Sequence, residues 1–328
     1  MKHSTLRVAI MGASSGIGAA TAIAFARQGA RLVLGARGKE GLEDVAWRCR
    51  AAGGDAEIKV VDATDPDDVA SFVKFARRTL GEIDLYFSNV GAGVVGKYAD
   101  VPLADHHRVI ETNLVTHMND AHAVLPVFLQ QGHGIWVNMI SAGGLVASPY
   151  AAAYSASKFG LRGFSEALRA ELGKNKHIHV CDVYPTFVDT PGFSHAANYT
   201  GAKLSYPPGV MRPEKVADAV VALARKPRPT TVIGAPESML TFGQFAAPDL
   251  IASGMNRFLG AWSKRADRAR VTKGALYHSP GGASGLYGPD RVEHAPYSRP
   301  QSQRSGTLVA GAALVAAAVG LGLLRKRS

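Results

Sequence analysis

The sequence predicts an α/β fold: a doubly wound, parallel β-sheet of about seven strands with helices on both faces, followed by a C-terminal helical extension. Three observations carry this. Short apolar segments alternate with helical ones from residue 7 to about residue 235. The apolar segments run with little polar interruption, as strands buried on both faces do. A glycine-rich turn, Gly12-Ala13-Ser14-Ser15-Gly16-Ile17-Gly18, stands between the first strand and the first helix.

In chain order, Arg7-Val8-Ala9-Ile10-Met11 is the first strand and residues 19–28 form the helix after the glycine turn. Strand 31–36, helix 40–51, strand 57–61, helix 66–80 and strand 83–88 continue the alternation. A long helical stretch covers 103–131, with Pro126 expected to bend it near its end. Strand 134–140, helix 152–173, strand 177–184, helix 213–225 and strand 230–233 complete one domain, 1–235. Residues 236–278 read as an amphipathic helical extension carrying Phe242, Phe245, Phe258, Leu259 and Trp262. Residues 279–306, rich in Gly, Pro, Ser and Arg, read as a flexible linker. Residues 307–324 hold no charge and precede Arg325-Lys326-Arg327.

Of the 328 residues, 47% are hydrophobic and 19% charged, which excludes a disulfide-stapled miniprotein and a disordered tail protein. The net charge of +11 is not spread evenly: residues 1–256 carry 25 Lys and Arg against 23 Asp and Glu, residues 257–328 carry 12 against 3. The main domain lacks the clustered, aromatic-interleaved basic patch of a nucleic-acid groove, so no nucleic-acid partner is expected. Cys49 and Cys181 form no C-x-x-C pair and read as buried, reduced thiols. The residues before the first strand are too few and too polar for a secretory signal. The 18 apolar residues 307–324 reach the lower limit for crossing a bilayer, and Ala312, Ala316 and Gly320 suit close helix contacts in lipid. The expectation is a membrane-associated protein with its catalytic domain in the cytoplasm. Whether 307–324 spans the bilayer or packs on the protein stays open, because its three terminal positive charges disfavour crossing while Arg299 and Arg304 favour it.

A dinucleotide pyrophosphate needs backbone amides at a helix start and no side chain in the way. Gly12, Gly16 and Gly18 offer this in the order G-x-x-x-G-x-G; the alternative is a tight strand–helix turn without a ligand. At the end of the second strand, where a carboxylate would accept bonds from a ribose diol, Ala36 is followed by Arg37. A guanidinium there suits a 2′-phosphate, so NADP(H) is expected over NAD(H), unless Arg37 is simply solvated. Tyr154-Ser155-Ala156-Ser157-Lys158 opens a helix, placing Tyr154 and Lys158 one turn apart on one face. A phenol beside a cation can exchange a proton with a substrate oxygen, although alone such a pair is commonplace.

Taken in order, the glycine turn, Asp62 after the third strand, Ser88-Asn89-Val90-Gly91 after the fourth, Asn113, Ser141 after the fifth, and Tyr154 with Lys158 resemble the short-chain dehydrogenase/reductase family over residues 7 to about 234. The resemblance implies a Rossmann-type NADP-binding catalytic domain and an oxidoreductase that interconverts a carbonyl and an alcohol. It implies that Ser141 orients the substrate oxygen, that Asn113 holds a water in a proton relay, and that Lys158 holds the nicotinamide ribose and lowers the Tyr154 pKa. Asp62 would lie near the adenine. Ser14, Ser15, Ile17, Asn89, Gly91, Pro185, Val188 and Thr190 would line the cofactor. It also implies a homodimer or homotetramer, formed through the helices carrying Asn113 and Tyr154.

The family's N-N-A-G appears as Ser88-Asn89-Val90-Gly91, and its P-G after the sixth strand as Pro185-Thr186. His106, His107, His117 and His122 share one helix without a complementary ligand cluster, so no metal is expected. Specificity should lie in 143–150 and in a lid, 191–210. Phe187, Phe193, Tyr199 and Tyr206 suggest a small apolar carbonyl or alcohol substrate, lipid- or steroid-like, or else pack the lid itself. Two other readings are a membrane-tethered NADP-binding protein without turnover and a nucleotide-sugar epimerase or dehydratase. The second lacks its usual G-x-x-G-x-x-G turn and large substrate domain.

Overall fold

The computed structural model describes residues 5–206, 210–236, 242, 244–263, 265–279, 285–289 and 294. Seven parallel strands form one sheet: β1 (Arg7–Met11), β2 (Arg31–Ala36), β3 (Asp55–Val60), β4 (Leu85–Ser88), β6 (Gly134–Met139), β7 (Ile178–Pro185) and β9 (Thr230–Ile233), in the order β3-β2-β1-β4-β6-β7-β9. Two short strands, β5 (Val94–Val95) and β8 (Ala197–Asn198), pair separately above it. The strand order reverses between β1 and β4, which opens a crevice at their C-terminal ends.

One face is covered by α1 (Gly16–Ala26), α2 (Lys39–Ala51) and α8 (Pro213–Arg225). The other face carries α3 (Pro66–Leu80), α4 (Leu103–Ile110), α5 (Thr116–Gln131) and α6 (Ala152–Glu171). This burial on both sides explains the apolar strand runs: every residue of β4 is buried, as are Val8 to Met11 of β1. Phe72, Tyr86, Phe128 and Trp136 fill the α3/α5 side, where truncating such an aromatic to Ala costs about 3–5 kcal/mol.

Several boundaries shift for identifiable reasons. β4 begins at Leu85 rather than 83, because the side-chain amide of Gln131 takes both backbone groups of Ile83. α3 starts where expected, its first amides capped by Asp65 with Pro66 at the first position. α5 runs through Pro126 to Gln131 and ends at Gly132 with φ 77°. The expected single helix 103–131 is instead α4 and α5 joined by a π-turn, Glu111–Val115, which widens the helix at Asn113.

The extension is helical in part: residues 242 and 244–246 are helical, as is α9 (Pro248–Ser263), while 265–279 is an irregular segment held by backbone bonds to the chain near residues 195–203. Within the expected linker, residues 285–289 and 294 pack on the domain through Gly16, Asp189 and Glu214. Among the described residues no helix is long and apolar enough to cross a membrane. Segment 307–324 lies outside them.

Candidate active site

A cleft of about 1920 Å³ lies over the C-terminal ends of β1, β2, β4 and β6. It is roughly twice the upper range of an ordinary small-molecule site, which is about 1,000 Å³, so it has room for a dinucleotide together with a substrate. Ser14, Ser15, Gly16, Ile17, Arg37, Asp62, Asn89, Gly91, Ser141, Tyr154, Lys158, Pro185, Val188 and Thr190 line it, along with Gly12. Gly18 and Asn113 stand behind this wall.

The glycine turn is shaped by close approach. A Cβ at Gly18 would sit 2.0 Å from the Gly12 carbonyl oxygen, and Gly12 itself has φ +82°. Asn89 Nδ2 donates to the Gly12 carbonyl at 3.1 Å and ties the turn to the loop after β4. Two of the three glycine amides are occupied within the protein. Gly12 N donates to Gly35 O at 2.8 Å, and Gly16 N donates to Gly285 O at 3.0 Å. The amides of Ser14 and Ser15 have no backbone acceptor among the described residues, and the start of α1 carries no side-chain cap. The helix start thus keeps donors suited to an anion.

At the other end of β2, Arg37 is not solvated. Its two terminal nitrogens donate to the carbonyls of Tyr277 and Ala275, each at 3.3 Å. Asp62 accepts from the Thr64 amide and hydroxyl at 3.0 and 2.9 Å. Burial pushes its carboxyl up, but these bonds and the nearby Arg37 and Arg108 guanidinium groups bring it below the usual range.

Ser141, Tyr154 and Lys158 converge on the cleft between β6 and α6. Ser141 has φ 141° and ψ 157°, a backbone that costs on the order of 1–3 kcal/mol for a residue with a side chain. Its Oγ accepts from Gly143 N at 3.1 Å, and Ser141 and Tyr154 both line the cleft. Lys158 Nζ is 5.8 Å from the centre of the Tyr154 ring. Burial raises the Tyr154 phenol pKa, against which the Ser141 hydroxyl acts, and burial lowers Lys158 to about 7. Lys158 directs its bond to Met139 O at 3.2 Å.

Asn113 is completely buried and its amide is spent on the protein. Oδ1 accepts from Ala92 N at 2.7 Å, while Nδ2 donates to Ala92 O at 3.0 Å and Ser157 Oγ at 3.1 Å. The π-turn presents it to this loop. A Cβ at Gly91 would lie 3.6 Å from Asn113 Oδ1 and 3.9 Å from Lys158 Nζ, so both groups border the space left there.

Two supporting groups escaped the sequence reading. His117, expected only to pack, is buried with Nε2 2.8 Å from Val90 O and Nδ1 against the side chain of Asn138, which also bonds Ser165. Nδ1 faces Asn138 Oδ1 and Nε2 faces the Val90 carbonyl, so both ring nitrogens meet acceptors and a neutral ring donates to one of them. Burial and the nearby Lys158 lower its pKa to about 4, in keeping with that state. Arg108 was likewise missed; it bonds Glu111 at 2.7 Å and faces Tyr277. Among the described residues no group of His, Cys, Asp or Glu is placed to hold a metal ion. Cys49 and Cys181 are free and buried, as expected.

The aromatics named from the sequence line the cleft and in part pack the lid. Phe187, Phe193, Tyr199 and Tyr206 all line the cleft. Phe193 and Tyr206 also stack with centroids 4.3 Å apart, Tyr206 OH donates to Thr190 O at 2.9 Å, and Tyr199 OH bonds Asp105.

Comparison with known proteins agrees with this architecture. The short chain dehydrogenase family model matches residues 7–199. The ketoacyl reductase HetN of Nostoc sp. is 33% identical over 227 residues, covering 69% of this chain and 77% of the relative. An alcohol dehydrogenase from the archaeon Thermococcus sibiricus, complexed with 5-hydroxy-NADP, superposes with a TM-score of 0.61 at 26% identity, covering 70% of this chain and 96% of its own. The actinorhodin polyketide ketoreductase with NADPH gives a TM-score of 0.61 at 27% identity, with 70% and 95% covered. The chain belongs to the short-chain dehydrogenase/reductase family and is an oxidoreductase of CH–OH groups that uses a nicotinamide dinucleotide.

Proposed function

We infer that the protein is an NADP(H)-dependent oxidoreductase that interconverts a carbonyl and an alcohol on an apolar substrate. The observation that carries this reading is the convergence of Ser141, Tyr154 and Lys158 in the wall of the cleft that also holds the glycine turn and Arg37. The bound dinucleotide supplies or accepts the hydride. In the reductive direction the Tyr154 hydroxyl donates its proton to the substrate oxygen, and Ser141 Oγ–H stabilises the negative charge growing there. Lys158, buried and held at Met139, is placed to bind the ribose and to supply positive charge near the Tyr154 oxygen. Asn113 positions the Ala92 segment and borders the space beside Lys158, where a relay water would sit.

Support for NADP(H) comes from Arg37 in the cleft and the absence of a carboxylate at Ala36. Support for an apolar substrate comes from Val146, Phe187, Leu204, Leu250, Met255 and Phe258 at its far end. Membrane association through 307–324 rests on that segment's composition alone. A homodimer or homotetramer is supported by Val115, Met118 and Phe159, exposed apolar residues on the π-turn, α5 and α6. A panel of apolar ketones and alcohols, assayed with NADPH and with NADH, tests the reading. Turnover confined to polar substrates, or equal use of NADH, would count against it.

A further inference from the structure

Residues 267–279, a strap outside the family match, run along the cleft and are bound to the lid. Lys203 N donates to Asp267 O at 2.7 Å and Ala269 N to Gly201 O at 3.0 Å. Asn198 and Thr272 exchange backbone bonds at 2.8 and 3.1 Å, and Ala275 N donates to His195 O at 2.8 Å. The lid and residues 267–275 are thus laced into one ribbon.

From the lid the strap reaches the opposite end of the cleft. Leu276 is buried among Val94, Val101, Val109 and Ala197. The carbonyls of Ala275 and Tyr277 accept from Arg37 and that of Leu276 from Arg108, at 3.3–3.4 Å. Ala275 and Ser279 line the cleft itself, and Ser279 lies against Gly38. The far end is anchored separately. Gly285 O accepts from Gly16 N, Gly288 N donates to Asp189 Oδ1 at 2.9 Å, Tyr287 OH donates to Glu214 at 2.6 Å, and His294 pairs with Asp189 at 2.8 Å.

We propose that residues 267–279 are a clasp over the dinucleotide cleft, anchored at 285–294, and that cofactor enters and leaves only when clasp and lid lift together from Arg37 and Gly38. The proposal rests on the dinucleotide reading of the cleft. A ligand reaching from Arg37 to Tyr154 runs between the sheet edge and this strap. The backbone bonds between strap and lid make separate movement of either costly, because each bond broken would leave an unpaired amide and carbonyl.

The clasp can be locked covalently. A Cβ built at Gly38 lies 3.9 Å from the Ser279 Cβ, within the range of a disulfide, and the native thiols of Cys49 and Cys181 are buried. In the full chain carrying Gly38→Cys and Ser279→Cys, stopped-flow fluorescence would follow NADPH binding and displacement before and after oxidation. Both rates should fall at least about tenfold on oxidation and recover on reduction. Leu276→Ala, which removes the buried anchor, should instead speed NADPH dissociation about tenfold. Rates that are the same in the oxidised and reduced forms, or dissociation unchanged in Leu276→Ala, would overturn the clasp alone. Failure of the unaltered chain to bind either NADPH or NADH would overturn the dinucleotide reading, and the clasp with it.

Discussion

Lys158 Nζ donates to the carbonyl of Met139 at 3.2 Å, so the cleft wall holds a buried amino group bound to the end of β6. Burial brings its pKa to about 7, whereas an unfolded lysine titrates near 10.4. Below the folded value the charge is carried at full cost, and between the two values the unfolded chain holds the extra proton, so the cost fades as pH rises. Lys158→Met should therefore stabilise the fold by about 2–4 kcal/mol at pH 7, with the gap to the parent narrowing toward pH 10, while activity is lost. Urea denaturation at the two pH values measures this. A destabilised variant would contradict it.

The buried polar groups behind the cleft make stability respond to acid in opposing directions. His117 has a folded pKa of about 4, below that of the unfolded state, so its neutral form loses ground as pH falls from about 6.5 to 4. Asp120, which accepts from Tyr86 OH at 2.6 Å and Ser88 Oγ at 2.5 Å, is pushed up to about 7 by burial. Its folded form binds the proton more tightly, so its contribution grows over the same descent. Asp120→Asn removes that compensation. Between pH 7 and pH 4 the parent should gain about 4 kcal/mol on the variant. Parallel pH profiles in chemical denaturation would refute this.

Arg37 faces two demands, since it holds the strap and is the candidate partner of a 2′-phosphate. Arg37→Ala should weaken NADPH about 10–100-fold, the loss of one or two charge-assisted bonds, and NADH less than about threefold. The ratio of the two dissociation constants isolates the phosphate contribution, because any effect through the strap acts on both nucleotides. An unchanged ratio in fluorescence titrations would remove the argument for NADP(H).

The sheet and the grouping of Tyr154 with Lys158 were legible in the sequence because both leave local signals. Buried parallel strands are apolar runs, and Tyr154 and Lys158 sit one helical turn apart. Asn113 was found by its position in the motif order, but its bonds to the Ala92 backbone at a π-turn were not, because such a turn carries no periodicity of its own. His117 was misjudged for a related reason: its partners Val90 and Asn138 are 27 and 21 residues away. The strap was hidden most completely. Residues 267–278 read as part of a helical extension, yet they form an irregular segment held by backbone carbonyls and amides, which any sequence supplies.

Segment 307–324 gives an independent prediction. Sedimentation with anionic phospholipid vesicles should retain the full chain, and removal of 307–328 should release it. Equal partitioning of the two would eliminate the anchor.

The central claim is proton transfer by Tyr154 in an NADPH-dependent reduction, and the measurement that meets it most directly is steady-state turnover of Tyr154→Phe beside an NADPH titration of the same variant. Loss of the hydroxyl should lower kcat by about 10²–10⁴-fold with NADPH affinity within about threefold of the parent. A variant that binds NADPH and turns over at nearly the parent rate would contradict the account.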